Sequence, residues 1–396
     1  MHDEVTIQQD LVYDFKDQTL IGYVCDDAMQ REKGFDANVA NHILLFLVVG
    51  VTSKIHSSVA FFGTRSLTAD VLYKLFWDTV QYLELTCELK VIASTSDKAG
   101  INLKMVNYHG SGFDDHGVVY KFPNLYAPNR CIYFVSDVPH LVKTVRNNLF
   151  NSRKVMSKGR RRMLCNDSLL CWDTIEELFN EDMSGHLYKT KLTSDHIYLT
   201  PQSKMKVKLA VQVLSESVGK VLQTYGKPED QELARFILMV DKFFDIMNIR
   251  TNAESGRTLK PWRQPFTAKN DSRFSWLQDE FLQYFVQWKE AVDATPGLTK
   301  AEKAKMFISQ PSFVGLVMTV KAISEATQYM LGQGVRYVLT HKFCQDPVEE
   351  QFGKHRMMGR RATHMNMQTF GRQERSLFVM GQAKMGLKPR GNITQS

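Results

Sequence analysis

The sequence lacks paired cysteines, a membrane-length apolar run and a phosphate-binding glycine loop. Its six cysteines never have the CxxC or CxxH spacing of a zinc site, so we expect reduced, mostly buried thiols. The longest apolar run, at 42–51, is about half of the roughly 20 residues that span a bilayer, and we interpret it as a buried strand. Met1 is followed by His2 and the acids Asp3 and Glu4, without the basic and apolar segments of a secretory signal. We therefore expect a globular intracellular protein.

The net charge of +8 is concentrated near the C-terminus. Residues 351–396 contain nine basic side chains and one acid, and a second basic cluster, RKVMSKGRRR, lies at 153–162. Such clusters are typical of proteins that bind nucleic acid, although a solvated tail and a charged loop would have the same composition. We predict contacts to nucleic acid from Arg153, Lys154, Lys158, Arg160, Arg161, Arg162, Lys354, Arg356, Arg360 and Arg361.

The first 150 residues mix strand and helix patterns. Antiparallel strands followed by alternating helices and strands are the order of an RNase H fold, so we predict an α/β protein with an RNase H-like mixed sheet and flanking helices. Strands are predicted at 3–9, 19–24, 43–51, 57–63, 89–95 and 131–137, and helices at 67–87, 99–106 and 138–150.

After residue 150 the pattern becomes helical, and strand signals do not return. Helical periodicity is clear at 204–226, 231–248, 275–292 and 311–331, and GKPED at 226–230 is typical of a turn between two helices. The α/β part must then be completed by the C-terminal helix. The predicted domains are 1–150, a mainly α-helical insertion at 151–335, and 336–396, which supplies that helix and a basic tail.

Three acids occupy positions where an RNase H fold gathers carboxylates: Asp3 on the first strand, Asp97 at a strand end and Glu349 on the C-terminal helix. Taken singly, Asp97 could be a helix cap, and Asp346 with Glu349 a capping box. Together they predict a metal site, because crowded carboxylates require neutralising cations. Two Mg²⁺ or Mn²⁺ ions would suit phosphoryl transfer on nucleic acid. Gly353 costs about 1 kcal/mol in a helix, so we also expect a close neighbour there.

Six ordered blocks carry a resemblance over nearly the whole chain: HDEVTIQQDLVYD, STSDKAGINLKM, FVSDVPHLVKTVRNNL, LTPQSKMKVKLAVQVLSESV, KFFDIMNIR and QDPVEEQFGKHR. Together they resemble the P-element transposase family, including its THAP-type relatives. The resemblance implies an RNase H-like core interrupted by a helical insertion, with Asp3, Asp97 and Glu349 as the catalytic, metal-binding DDE triad. It also implies DNA as the partner, at transposon ends and target, with a homo-oligomeric protein in the nucleus.

Some assignments stay open in the sequence. Asp137 also ends a strand and competes with Asp97, which we favour because it follows the long helix. His140 then has a structural role, and Asp346 caps or supports Glu349. The resemblance implies GTP at the insertion domain, but no GxxxxGK[ST] loop is present and no residue is assigned to it.

Three functions also stay open. The family commonly has an N-terminal zinc module and a coiled coil, neither of which is found here, and the chain begins within the predicted first strand. The first function is a metal-dependent transposase core that cleaves and joins DNA. The alternative is a domesticated, catalytically inactive DNA-binding or regulatory derivative. The third is an RNase H-like nuclease that acts on other nucleic acid.

Overall fold

The computed structural model describes residues 1–25, 38–97, 100–110, 117–155, 160–185, 189–251, 260–358 and 365–386. The chain divides into two compact units. The first contains Met1–Val91 and Gln345–Ser396, and the second contains Ile92–Cys344. The domain boundaries at 150 and 335 stay predictions.

The described residues form short strands arranged in two three-stranded sheets and two hairpins. The strands are β1 (His2–Thr6), β2 (Val12–Asp14), β3 (Thr19–Ile21), β4 (His42–Val49), β5 (His56–Thr64), β6 (Ala93–Ser96), β7 (Lys121–Asn124), β8 (Ala127–Ser136), β9 (Met163–Cys165) and β10 (Ser168–Leu170). One sheet has the antiparallel order β1–β4–β5, and the other has the order β6–β8–β7, in which β6 and β8 are parallel.

Helices make up most of the remaining structure, so the fold is mixed α/β and mainly helical. They are α1 (Ala69–Gln81), α2 (Gly100–Asn107), α3 (Val138–Phe150), α4 (Trp172–Ser184), α5 (Ser194–Ile197), α6 (Pro201–Met205), α7 (Val207–Val213), α8 (Glu216–Tyr225), α9 (Gln231–Met247), α10 (Ser272–Ser275), α11 (Gln283–Ala294), α12 (Lys300–Met306), α13 (Gln310–Gly332), α14 (Asp346–Met358) and α15 (Met367–Gly386). A π-helical segment, Trp276–Leu282, connects α10 to α11.

The core of the first unit lies on one face of its sheet. Ile43, Leu45 and Leu47 alternate along β4, so their side chains share that face, and they cluster with the buried side chains of Val348 and Phe352 from α14. Phe370 from α15 completes the cluster and is fully buried. Burial of these apolar groups therefore fixes α14 against the sheet, at a gain of about 1.5–3 kcal/mol for each large side chain.

The second unit combines the β6–β8–β7 sheet with a helical body. The hydroxyl of Thr319 on α13 donates to the carbonyl of Ser136 at 2.9 Å, which joins this long helix to the end of β8. Thr95 on β6 donates in the same way to the carbonyl of Phe343 at 3.0 Å. The first bond satisfies the carbonyl group at the end of β8, and the second satisfies a carbonyl of the helical turn Thr340–Phe343.

The structure confirms the α/β pattern and the helical block, with three corrections. Strands return after residue 150 in the hairpin of β9 and β10. The predicted strand at 89–95 begins only at Ala93. The continuous helix predicted at 204–226 is three helices, and its last break lies at Ser215, whose hydroxyl donates back to the carbonyl of Gln212 at 2.8 Å. Such local bonds of serine compete with the helical pattern. The turn predicted at 226–230 is confirmed between α8 and α9.

The cysteines and the apolar runs agree partly with the sequence predictions. All six thiols are free, but Cys165, Cys171 and Cys344 are the buried ones, and Cys87 is exposed. No single helix among the described residues is long and apolar enough to cross a membrane. Two consecutive helices, Lys300–Met306 and Gln310–Gly332, are together long and apolar enough to cross a membrane, but the chain bends by 55° between them.

Candidate functional site

Asp3 lies on β1, opposite Leu45 of the central strand. Directly paired residues point to the same face of an antiparallel sheet, so Asp3 shares the face that α14 covers. Its side chain is half-buried, and its Oδ1 accepts a hydrogen bond from the backbone N–H of Glu4 at 2.8 Å. Glu4 belongs to the other face, where its Oε1 accepts from the hydroxyl of Thr64 at 2.7 Å. The two acids of the N-terminal pair therefore have different surroundings.

Glu349 lies in the first turns of α14, between core residues and solvent. Its neighbour Val348 is fully buried, whereas Glu349 itself is exposed. The side-chain amide of Gln345 donates to the carbonyl of His2 at 2.9 Å, which joins the start of α14 to the residue before Asp3. The expectation of a close neighbour at Gly353 is wrong for the described part of the chain, where an added Cβ would meet nothing within 4 Å.

Asp97 follows the last residue of β6 in the second unit. Its carboxylate is half-buried and accepts a hydrogen bond from the side-chain amide of Asn102 at 2.6 Å. Asn102 lies on α2, so this bond fixes the carboxylate relative to the following helix. The paired residues Ser96 and Ser136 place the ends of the parallel strands β6 and β8 side by side.

The alternative ligand Asp137 caps a helix. It is buried, and its Oδ2 accepts from the backbone N–H of His140 at 2.9 Å, which is N-cap geometry for α3. His140 is half-buried in the first turn of the same helix. Asp346 is half-buried at the first residue of α14. The roles of Asp137, His140 and Asp346 stay predictions.

Carboxylate oxygens are the ligands that Mg²⁺ and Mn²⁺ prefer, so the donor set of Asp3, Asp97 and Glu349 fits these ions chemically. No group of three or more His, Cys, Asp or Glu side chains within the described ranges is close enough to hold a metal ion. The assignment of the triad therefore stays a prediction.

The basic cluster at 153–162 is partly used within the protein. Arg153 forms salt bridges with Asp173 and Glu176, both at 2.8 Å. Lys154 pairs with Glu177 at 2.6 Å. Arg161 donates to the carbonyls of Ala304 and Phe307 at 2.7 and 2.8 Å. Of the other cations in this cluster, Arg160 is half-buried and Arg162 is exposed, whereas Lys158 lies outside the described residues.

The second set of predicted DNA contacts follows Glu349. Lys354 is half-buried, and Arg356 is exposed, with its Nε donating to the carbonyl of Phe352 at 3.3 Å. Arg360 and Arg361 lie outside the described residues. All of these DNA contacts stay predictions.

A charged cluster in the second unit was missed by the sequence analysis. The ammonium group of Lys260 lies 2.7 Å from Asp241, 2.9 Å from Asp245 and 3.0 Å from Glu216, and Arg263 also pairs with Asp245. Burial alone would lower the pKa of Lys260, but the three carboxylates raise it. Burial raises the pKa of Asp241 despite the hydrogen bond from Lys260. A signal was present in the sequence, because Asp241 and Asp245 are four residues apart on one helix face.

A cavity of about 370 Å³ opens next to this cluster. Asp245, Asn248 and Arg263 line it, together with the aromatic ring of Phe244. The buried Oδ1 of Asn248 has no hydrogen-bond partner in the described part of the chain. An unsatisfied buried oxygen costs roughly 1–3 kcal/mol, so a ligand that donates a hydrogen bond would fit here.

Two segments match known domain families. Residues 1–110 match the TNP-like RNase H N-terminal domain, and residues 139–261 match the TNP-like GTP-binding insertion domain. The chain belongs to the P-element transposase-like family. Asp3 and Asp97 lie within the first matched segment, and Asp245 and Asn248 lie within the second. Glu349 lies outside both.

Comparison with individual P-element transposases agrees with this membership. The Transposable element P transposase of Drosophila melanogaster is 25% identical over 242 residues, which are 59% of this chain and 28% of that relative. The match thus spans less than a third of the relative's length. The solved Drosophila P element transposase strand transfer complex has the same fold, with a TM-score of 0.74 and 21% identity over 97% of this chain and 77% of that one. The RNase H-like fold with an insertion domain is therefore confirmed.

Proposed function

We propose that this chain is the core of a P-element-like DNA transposase, which cleaves and joins the ends of its own element by using Asp3, Asp97 and Glu349. The observation that carries the proposal is the bond from Gln345 to the carbonyl of His2. It joins the helix of Glu349 to the strand of Asp3 within one unit of an RNase H-like fold. Two of the three acids are thereby held by a single folded unit.

In this proposal Asp3, Asp97 and Glu349 hold Mg²⁺ or Mn²⁺, which would supply Lewis-acid activation of a water or a DNA 3′-hydroxyl. The protein's part is to hold the carboxylates in place. The backbone N–H of Glu4 fixes Asp3, and the amide of Asn102 fixes Asp97. Glu349 depends on the packing of Val348 in the core. Fixed ligands reduce the cost of arranging the site for each reaction cycle.

The proposed partner is DNA, both transposon ends and target, and the proposed location is the nucleus with a homo-oligomeric active form. The exposed cations Arg162 and Arg356 supply charge for the phosphate backbone. A relative of the same fold is a transposase in a strand transfer complex, which supports this partner.

GTP is the proposed nucleotide of the insertion domain, in the cavity beside Asn248. The unsatisfied Oδ1 of Asn248 can accept a hydrogen bond from a base N–H group, and Arg263 can face a phosphate. The match of residues 139–261 to a GTP-binding insertion domain supports this choice of nucleotide.

The test is metal-dependent cleavage of a duplex carrying the element's terminal sequence. Wild type should nick this DNA with Mg²⁺ or Mn²⁺, and Asp3→Ala, Asp97→Ala and Glu349→Ala should each lose activity while they still bind the DNA. Equal cleavage by wild type and the three variants would refute the triad. Binding without cleavage by wild type, at any metal concentration, would support the inactive DNA-binding derivative instead.

A further inference from the structure

A second cavity of the insertion domain, of about 440 Å³, is lined by residues that differ from those of the Asn248 cavity. We call it the Arg235–Lys242 groove. Its size falls within the range of small-molecule sites, about 300–1,000 Å³. Its walls come from α8, α9 and the π-helical segment: Gln223, Gln231, Arg235, Met239, Lys242 and Trp276.

Lys242 is the most unusual residue of the groove. Its ammonium group lies 4.0 Å from the ring centroid of Trp276 and 5.5 Å from that of Trp262. Burial lowers the pKa of Lys242, although the nearby charge of Glu280 acts in the opposite direction. The aromatic faces attract the cation, but they do not replace the hydrogen bonds that an ammonium group makes in water. A half-buried ammonium group next to two indole rings therefore favours an anion as an additional partner.

Arg235 adds a second cation, about two helical turns before Lys242 on α9. Its guanidinium lies 5.2 Å from the ring centroid of Tyr284, and its side chain is 58% exposed. The carboxylate of Glu232 lies 4.0 Å from this guanidinium and accepts a hydrogen bond from the thiol of Cys165 at 3.5 Å. Two cations and one acid therefore line the groove, and that acid is partly engaged elsewhere. Glu280 is not among the lining residues, although its charge acts on Lys242.

The other walls suit the nucleoside that accompanies a phosphate. Gln223 and Gln231 carry amide groups that both donate and accept hydrogen bonds, and Leu238 and Met239 supply apolar surface. Cations on aromatic rings beside apolar surface are typical of proteins that bind single-stranded nucleic acid.

We infer that the Arg235–Lys242 groove binds a phosphate and its adjoining nucleoside from a nucleic-acid strand. The inference rests on the proposed function, because it assigns a further contact to the same DNA partner. None of the residues that line the groove lines the Asn248 cavity.

The experiment measures binding of the full chain to a fluorescent single-stranded oligonucleotide and to a duplex, over a series of salt concentrations, without divalent ions. Arg235→Gln and Lys242→Gln should each weaken binding roughly tenfold. Each should also reduce the slope of log K against log salt by about one. Lys242→Arg should retain binding, since it keeps the charge. Lys220→Gln is the matched control, because Lys220 pairs with Glu216 on the surface of α8, and it should bind like wild type.

The outcomes separate this inference from the transposase proposal. Wild-type oligonucleotide binding that is unchanged in Arg235→Gln and Lys242→Gln overturns only the groove. The groove inference is also overturned if Arg235→Gln and Lys242→Gln lose binding of a fluorescent GTP analogue but still bind the oligonucleotide. The groove would then hold a free nucleotide. Absence of any oligonucleotide binding by folded wild type contradicts the proposed function itself.

Discussion

The imidazole Nε2 of His355 lies 2.7 Å from Oε1 of Glu374, and both side chains are buried in the first unit. The amide of Gln351 donates to the two carboxylate oxygens of Glu374 at 3.1 and 3.2 Å. His355 also stacks on Phe370, with the ring centroids 4.1 Å apart. Because His355 lies on α14 and Glu374 on α15, this network fixes the helix that carries Glu349.

The charge of Glu374 should make the first unit sensitive to acid. Burial acts to raise the pKa of Glu374, but hydrogen bonds from His355 and Gln351 outweigh it and lower the pKa below the usual 4.5. A lowered pKa adds stability above about pH 4.5, and this stability is lost as the pH falls through the folded-state value. Wild type should therefore lose stability in this acid range.

Glu374→Gln removes this contribution. We expect its free energy of unfolding to be about 1–3 kcal/mol lower than that of wild type at pH 7, with the difference shrinking toward pH 3. Urea unfolding at several pH values measures both, and Glu350→Gln, at an exposed position on α14, is the control. Parallel pH profiles for wild type and Glu374→Gln would show that the network does not stabilise the fold.

Phe370 should be the main apolar anchor of α15. It is fully buried against His355 and Phe61, so Phe370→Ala should lower the free energy of unfolding by about 3–5 kcal/mol. Phe378 on the same helix is 55% exposed, and Phe378→Ala should change stability by no more than about 0.5 kcal/mol. Thermal or urea unfolding measures both changes. Similar losses of stability in the two variants would contradict the packing of α15 through Phe370.

Asp137 offers a test of which aspartate serves the reaction. Asparagine caps a helix about as well as aspartate, whereas alanine costs about 1 kcal/mol. Asp137→Asn should therefore unfold and cleave DNA like wild type, and Asp137→Ala should be less stable. Asp97→Asn should lose cleavage while it remains folded. Loss of cleavage in Asp137→Asn at normal stability would make Asp137 the second ligand.

Much of the fold could be predicted because its elements have strong local patterns. The run that became β4 is apolar at every buried position, and α1 has helical spacing with Thr68 as its cap. The hairpin of β9 and β10 was missed, since each strand has only three residues. Its turn also requires left-handed backbone at Asn166 and Asp167, which those two residue types tolerate better than most.

The candidate site, like the fold, could be predicted from the sequence only in part. Positions next to a clear element, such as Asp3, Asp97 and Glu349, could be proposed from order and resemblance. The intramolecular bonds of Arg153 and Arg161 could not be predicted, because the partners are far away in the chain. Asp173 is 20 residues from Arg153, and Ala304 is 143 residues from Arg161. The spacing of Asp241 and Asp245 was visible in the sequence, but their pairing with Lys260 was not, because Lys260 follows in a separate segment of the chain.

Asn248 provides the prediction for nucleotide binding. If its unsatisfied Oδ1 accepts a hydrogen bond from the guanine base, Asn248→Ala should lower the affinity for GTP roughly tenfold. It should also reduce the preference for GTP over ATP. Equilibrium binding of fluorescent GTP and ATP analogues measures both effects. Arg235→Gln, which changes the other cavity, should leave GTP affinity unchanged. Equal affinities in wild type and Asn248→Ala would remove this residue from the nucleotide site.

The most direct measurement compares two adjacent glutamates on α14. Glu349 and Glu350 are both exposed, so replacing either by glutamine should leave the fold intact. We would measure single-turnover nicking of terminal-repeat duplex with Mn²⁺ by wild type, Glu349→Gln and Glu350→Gln. The transposase account predicts that Glu349→Gln reduces the rate by at least about 100-fold, in the range of losing an essential catalytic group, and that Glu350→Gln cleaves like wild type. Equal rates in the two variants would contradict it.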